Sequence, residues 1–236
     1  MKKEGLNVEK IWDVMSKKDK KIVLFDIDQV LIDRFRLWKL LTKKIIDTCH
    51  ISFQKFEETR LRYIENLISS TDFNADEFLR ILSKNFDVNL SLLNKIFFEK
   101  KDSYCESLFA ETVEVLEKLR NKCVLGIFSE GRKKYQMAKL VNSGIFKFFD
   151  NNYIGIYRRK LEKSVIDLLP FGAVVVDDRK YVVEKLSKRK DLIVYWLDRE
   201  KSDDSFGLNR IGSLVMIKYE VNQRIGVVDY MKNDQF

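Results

Sequence analysis

Asp26 and Asp28 stand two residues apart at the end of the apolar run KKIVLFDID, and a second aspartate pair, Asp177 and Asp178, ends the run GAVVVDD. Between them in the chain, Ser129 closes CVLGIFS, and Arg158, Arg159 and Lys160 form a basic cluster at the start of a short helical stretch. If the apolar runs lie side by side, their carboxylates gather at one edge and repel one another unless a cation offsets them. Oxygen ligands without histidine or thiol suit a hard ion such as Mg²⁺. A serine hydroxyl and a lysine beside them add a hydrogen-bond donor and a point charge, which together complement a phosphate. A helix starting after Ser129 brings backbone N–H groups to the same anion.

These residues need elements that hold them at one edge. KKIVLFDID is a continuous apolar run and predicts a strand buried on both faces. From 34 to 104 the pattern is helical, in the stretches RLWKLLTKKIIDTC, FEETRLRYIENLIS, ADEFLRILSKNF and LSLLNKIFFEK, which predict four helices joined by short polar turns. Helices at 112–122, 132–142, 161–169 and 181–188 then alternate with strands at 123–129, 148–157, 172–177 and 191–197. Ser143-Gly144 and Pro170 act as stop signals. Such alternation implies right-handed crossovers and a doubly wound parallel sheet, whose ligand site lies beyond the carboxyl ends of the strands. Val8, Ile11, Trp12 and Met15 predict a short amphipathic helix ahead of the first strand, and the pattern after Lys201, including SLVMIKY and RIGVVDY, assigns no element.

The ordered series Asp-x-Asp, Ser, Lys, Asp-Asp resembles the motifs of the haloacid dehalogenase superfamily across residues 20–200, and VNSGIFKFFD is similar to the segment that follows the second motif there. Many members carry a helical cap between the first and second motifs. The resemblance implies an α/β fold: a doubly wound parallel-sheet, Rossmann-like core of residues 1–33 and 105–236, with an all-helical cap inserted as 34–104. It implies Asp26 as the nucleophile that forms an aspartyl-phosphate and Asp28 as the acid and base. Ser129 and Lys160 would hold the phosphoryl oxygens, and Asp26, Asp177, Asp178 and the backbone carbonyl of Asp28 would hold Mg²⁺. Members that cleave carbon–halogen bonds lack the second acid, so Asp28 favours phosphate chemistry. The chain departs from the pattern in having Gln29-Val30 where Gly-Thr is commoner, no glycine before Asp177, and no proline after RRKLEKS, which makes Lys163 a rival to Lys160.

Composition narrows the remainder. At 236 residues and 28.1 kDa, with 45% hydrophobic and 34% charged residues, the chain suits a folded α/β protein and is neither disordered nor collagen-like. Three scattered cysteines form no disulfide framework or CxxC zinc site, and a single histidine, His50, reads as a surface residue at a helix end rather than part of a Ser-His-Asp triad. No apolar run reaches the roughly 20 residues of a membrane span, and the first residues lack a signal-peptide core, so a cytoplasmic protein is expected. The net charge of +8 is spread along the chain and favours phosphate-bearing partners. Phe35, Trp38 and Phe53 read as core of the helical block rather than a substrate box, and Arg34 and Arg36 as solvated surface. The expected activity is a Mg²⁺-dependent phosphatase acting on a small phosphomonoester, with the cap closing over the site to exclude water. A phosphomutase would use the same core residues. The alternative is a basic nucleic-acid-binding protein, or a phosphatase of nucleic-acid ends, on the same fold.

Overall fold

The computed structural model describes residues 20–200 and 207–221. The helix expected around Val8 and Met15, and the segment RIGVVDY, lie outside them. Strand β1 (Lys21–Phe25) is followed by a helical block: α1 (Arg34–Cys49), α2 (Phe53–Glu65), a 3₁₀ turn (Ser70–Asp72), α3 (Ala75–Phe86), α4 (Leu90–Glu99) and α5 (Lys101–Glu106). The rest alternates as α6 (Thr112–Arg120), β2 (Cys123–Glu130), α7 (Lys133–Asn142), β3 (Ile154–Tyr157), α8 (Lys163–Ile166), β4 (Val174–Asp177), α9 (Lys180–Leu186), β5 (Ile193–Leu197) and β6 (Asn209–Ile211). All strand pairs are parallel, in the order β3-β2-β1-β4-β5-β6. The chain therefore forms the doubly wound α/β sheet that the alternation predicts.

Both faces of the sheet are covered, and the period of two shows which residue serves which face. Val23, Phe25, Val174, Val176, Tyr195 and Leu197 join a cluster that runs without a break into the helical block through Leu37, Leu41, Phe56, Phe78 and Phe97. Leu24, Val175, Val194 and Trp196 point the other way, onto Val182, Val183 and Leu186 of α9. Strands buried on both sides have no polar alternation, which is why they read as pure apolar runs.

Several boundaries differ from the sequence pattern. Only 154–157 of the expected strand at 148–157 pairs; before it, Phe146–Phe148 and Asn151–Tyr153 form 3₁₀ turns, the second capped where Asn152 N–H donates to the Asp150 carboxylate. The helical block has a fifth helix, α5, beyond the fourth predicted stretch, separated from α4 by Lys100 at φ −82° and ψ 82°. The helix expected at 161–169 shrinks to Lys163–Ile166. Strand β6 spans three residues, too few to show a period, and 216–221 are helical, with Ile217 and Val221 buried.

Gly126 marks the tightest approach in the sheet: a Cβ there would lie 2.5 Å from Tyr153 O and 2.7 Å from Leu24 Cδ2. Gly126→Ala is expected to cost about 1–3 kcal/mol, because backbone cannot yield as a flexible side chain would. Urea denaturation of the two proteins measures this directly.

Candidate active site

Register places the first carboxylates. Phe25 pairs with Val176, and Asp26 N–H donates to Val176 O at 3.0 Å, so Asp26 and Asp177 emerge side by side beyond the switch point where β1 lies between β2 and β4. Asp26, Asp177 and Asp178 each bring a carboxylate oxygen within 4.8 Å of the others. Phe25 also pairs with Ile127, which sets Ser129 near the same level on the other neighbour of β1.

Lys160 enters this cluster from the end of β3. It is fully buried; its Nζ is bonded to Asp177 Oδ2 and lies 3.3 Å from both Asp26 Oδ2 and the Phe128 carbonyl oxygen. Burial works against its charge, but Asp177 and Asp26 outweigh that and hold its pKa up. Arg179 adds a second cation, 3.6 Å from Asp177 and bonded at 3.0 Å to Glu130. Two cations do not fully satisfy three carboxylates. Asp26 Oδ1 is buried without a hydrogen-bond partner, and burial, with Asp26 and Asp177 adding repulsion, pushes Asp178 up to about 7. This oxygen-only set with an orphaned carboxylate atom fits a hard divalent cation.

Asp28 sits apart from that cluster. Its two oxygens accept from Lys139 Nζ at 2.6 and 2.7 Å, and one also accepts from Gln136 at 3.0 Å. Burial opposes ionisation, yet the Lys139 charge and these hydrogen bonds win, and the Asp28 carboxyl lies below the usual carboxylate range. Asp26, Asp28, Asp178, Arg179, Lys139 and Tyr135 help to line a chamber of about 300 Å³. Ser129 and Lys160 are buried beside it, and Ser129 Oγ has no partner.

The basic cluster divides its work. While Lys160 turns inward, Arg158 and Arg159 reach the helical block: both bond Asp72, Arg159 at 2.9 Å to each carboxylate oxygen, and Arg158 also bonds the Thr71 carbonyl at 3.0 Å. Lys163, the sequence rival, is exposed and pairs with Asp167 in its own helix, so it is not in the site. Sequence reading missed Lys139, Gln136 and Arg179. The signal available for Lys139 was a lysine on the inward face of α7; for Arg179 it was a position directly after the aspartate pair. One other expectation is corrected: Phe35 and Phe53 are largely exposed rather than core. Arg34 is exposed, as expected, and also lines the chamber.

The turn after Asp28 explains one departure. Gln29 has φ 60°, the left-handed region where glycine is unstrained, and its Nε2 is buried without a partner. Arg199 clamps this turn by donating to the carbonyls of Gln29 at 3.2 Å and Val30 at 3.0 Å.

Residues 23–160, more than half of the chain, match the sequence model of haloacid dehalogenase-like hydrolases, and the chain belongs to that family of enzymes. Its fold is similar to that of the HAD phosphatase from Thermococcus onnurineus, at 24% identity and TM-score 0.58, covering 87% of this chain and 98% of that one. It is similar also to 2-haloacid dehalogenase from Pseudomonas syringae pv. Tomato, at 16% identity and TM-score 0.56, covering 87% and 99%. The magnesium-bound Bacillus subtilis protein YfnB shares 15% identity at TM-score 0.58, covering 87% and 100%. No curated protein matches the chain in sequence. No helix among the described residues is long and apolar enough to cross a membrane.

Two outcomes follow from the geometry. Lys139→Met leaves Asp28, 23% exposed, with its charge unpaired, and is expected to cost about 2–4 kcal/mol at pH 7 by chemical denaturation. Because the folded-state pKa of Asp28 lies below the ordinary 3.8, its pairing contributes fully above about pH 5 and is lost as pH falls through the folded value, so the gap between the two proteins should narrow in acid. Gln29→Gly relieves a left-handed strain of about 1–2 kcal/mol against roughly 0.5–1 kcal/mol of added chain entropy. A net gain of about 0.5–1 kcal/mol is expected in the same assay.

Proposed function

We propose that the chain is a Mg²⁺-dependent phosphatase that hydrolyses a phosphomonoester through an aspartyl-phosphate on Asp26. The observation that carries this reading is Asp28, a second carboxyl on the chamber that Asp26 lines. Expelling a halide needs no proton, whereas expelling an alkoxide does, and a second acid answers only the latter need. The basic residues Arg34, Arg132, Lys139 and Arg179 around the chamber suit a doubly charged phosphate.

In this reading an Asp26 carboxylate oxygen attacks phosphorus as the ester oxygen leaves, taking a proton from Asp28. The approach of the phosphate dianion favours the protonated form of Asp28, against the pull of Lys139. Once the alcohol departs, Asp28 is a carboxylate again, the state that Lys139 stabilises, and it removes a proton from the water that attacks the phosphoryl-aspartate. Ser129 Oγ is the donor assigned to a phosphoryl oxygen, which would satisfy its hydroxyl. Lys160 acts as a positioning residue, holding Asp26 and Asp177 close despite their like charge. Asp26, Asp177, Asp178 and the backbone carbonyl of Asp28 would hold Mg²⁺, which would supply charge neutralisation for the phosphoryl group and for the carboxylates themselves.

The test is phosphate release from p-nitrophenyl phosphate. Turnover is expected with Mg²⁺ and is expected to vanish with chelator and in Asp26→Asn; turnover that persists in either control sinks the reading. Ser129→Ala separates chemistry from folding. It should lower kcat/KM by about 10²–10³, while stability stays level or rises by up to about 1 kcal/mol because a buried, unpaired hydroxyl is removed.

A further inference from the structure

The chamber beside Asp26 does not end the accessible space. A larger cavity of about 620 Å³ adjoins it, and the two share Asp28, Arg34, Ser69, Phe73, Tyr135 and Lys139 as lining residues. Beyond this shared ring its walls are Phe35, Trp38, Ile64, Leu67 and Ile68, with the charged side chains of Arg60 and Glu65. A group attached to a phosphate in the first chamber and passing Asp28 enters this second one.

We propose that the second cavity receives the leaving group of the substrate, and that this leaving group is an uncharged aromatic ring system. The inference rests on the phosphatase reading for the identity of the phosphate end. Its size falls in the range of sites for drug-sized ligands, well beyond the needs of a two- or three-carbon alcohol. Part of the wall is a packed aromatic cluster. Trp38 meets Phe73 edge-on at 5.6 Å and 90°, Phe73 lies 6.0 Å from Tyr135, and Trp38 and Phe73 are held from behind by Phe78 at 5.8 and 5.7 Å. Rings fixed in this way form a preorganised surface that loses little freedom on binding.

Several of the charged and polar groups on the lining are engaged with neighbours, and Glu65 stands exposed at the surface. Lys139 is bound to Asp28, Arg60 is bonded to both oxygens of Glu57 at 3.0 and 2.8 Å, and Ser69 Oγ lies 3.0 Å from Thr71 Oγ1. A sugar or polyol would leave hydroxyls unpaired against the wall of Phe35, Trp38, Ile64, Leu67 and Phe73, which selects against it there. The Arg34 guanidinium lies 4.7 Å from the centre of the Phe35 ring and extends the flat surface at the entrance, a favourable place for a further ring to stack. Phe35 at 66% and Ile68 at 97% exposure stand at the rim, where their surface gains nothing from the fold and gains from a ligand.

The experiment compares three primary alkyl phosphates of similar intrinsic reactivity: 2-naphthylmethyl phosphate, octyl phosphate and glycerol 1-phosphate. With Mg²⁺ and wild-type protein, kcat/KM for the naphthylmethyl ester is expected to exceed that for glycerol phosphate by about 100-fold and that for octyl phosphate by about tenfold. Ile68→Asp, at an exposed position, should cut the naphthylmethyl-to-glycerol ratio by about tenfold or more. Comparable values for the three esters, or a ratio unmoved by Ile68→Asp, overturn the inference while leaving the phosphatase reading intact. If none of the three is hydrolysed, turnover of p-nitrophenyl phosphate decides the phosphatase reading separately, and the cavity is read by calorimetry on the wild-type protein. Tighter binding of the naphthylmethyl ester, weakened by Ile68→Asp, then upholds an aromatic site, and equal affinities overturn it. Apolar walls covered by a second copy of the chain would give a dimer in sedimentation and no discrimination among the esters, which also overturns it.

Discussion

A buried ammonium between two buried carboxylates is the interaction around which this molecule is arranged. Lys160 has no surface exposed, and neither does Asp177, while Asp26 retains only 4%. Charges so far from water are tolerated only when each has a close partner of opposite sign. The pair in turn requires that β1 and β4 be neighbours in parallel register and that the chain leaving β3 cross behind β2 to reach them. Sheet order, strand ends and the basic cluster are thus linked by one electrostatic requirement.

That requirement is met incompletely. Lys160 and Arg179 face three carboxylates; one oxygen of Asp26 is left without a partner, and Asp178 holds its proton more tightly than an ordinary aspartate. A fully neutralised cluster would be a structural salt bridge and nothing more. The residual negative charge suits a divalent cation, which is the part it has in the reading proposed above. Asp28 is handled differently, by its own buried lysine. Two carboxyl groups two residues apart in the chain therefore have distinct partners and can serve distinct roles.

The helical block is tied to this centre in two ways. Its apolar side continues the core of one sheet face, so it has no separate interior. Its polar tie is the Asp72 carboxylate, gripped by Arg158 and Arg159, the two residues immediately before Lys160. Aromatic rings lining the cavity and the lysine in the catalytic cluster are thereby joined through a short stretch of backbone. This sets the walls of the cavity at a fixed distance from Asp26.

How much of this was legible in the chain depends on the range of the cause. Strands β1, β2, β4 and β5 and the long helices follow from local periodicity, because burial on both faces writes a pure apolar run and burial on one face writes a 3.6-residue stripe. Asp26, Asp28, Ser129 and the Asp177-Asp178 pair could be nominated because a parallel sheet brings its strand ends to one edge, so position after an apolar run is enough to place them there. The three-residue strand β6, the 3₁₀ turns before β3 and the break at Lys100 were not readable, since single side-chain caps and backbone angles decide them. Nor were Lys139 and Gln136, which reach Asp28 from 111 and 108 residues away in the chain, whereas Arg179 lies beside its partner Asp177 and carried a local signal. Lys160 over Lys163 and the exposure of Phe35 were likewise not readable. Local pattern determines which elements form and which residues end them; tertiary packing alone decides which charge finds which partner, because electrostatic pairing depends on distance in space and carries no period along the sequence.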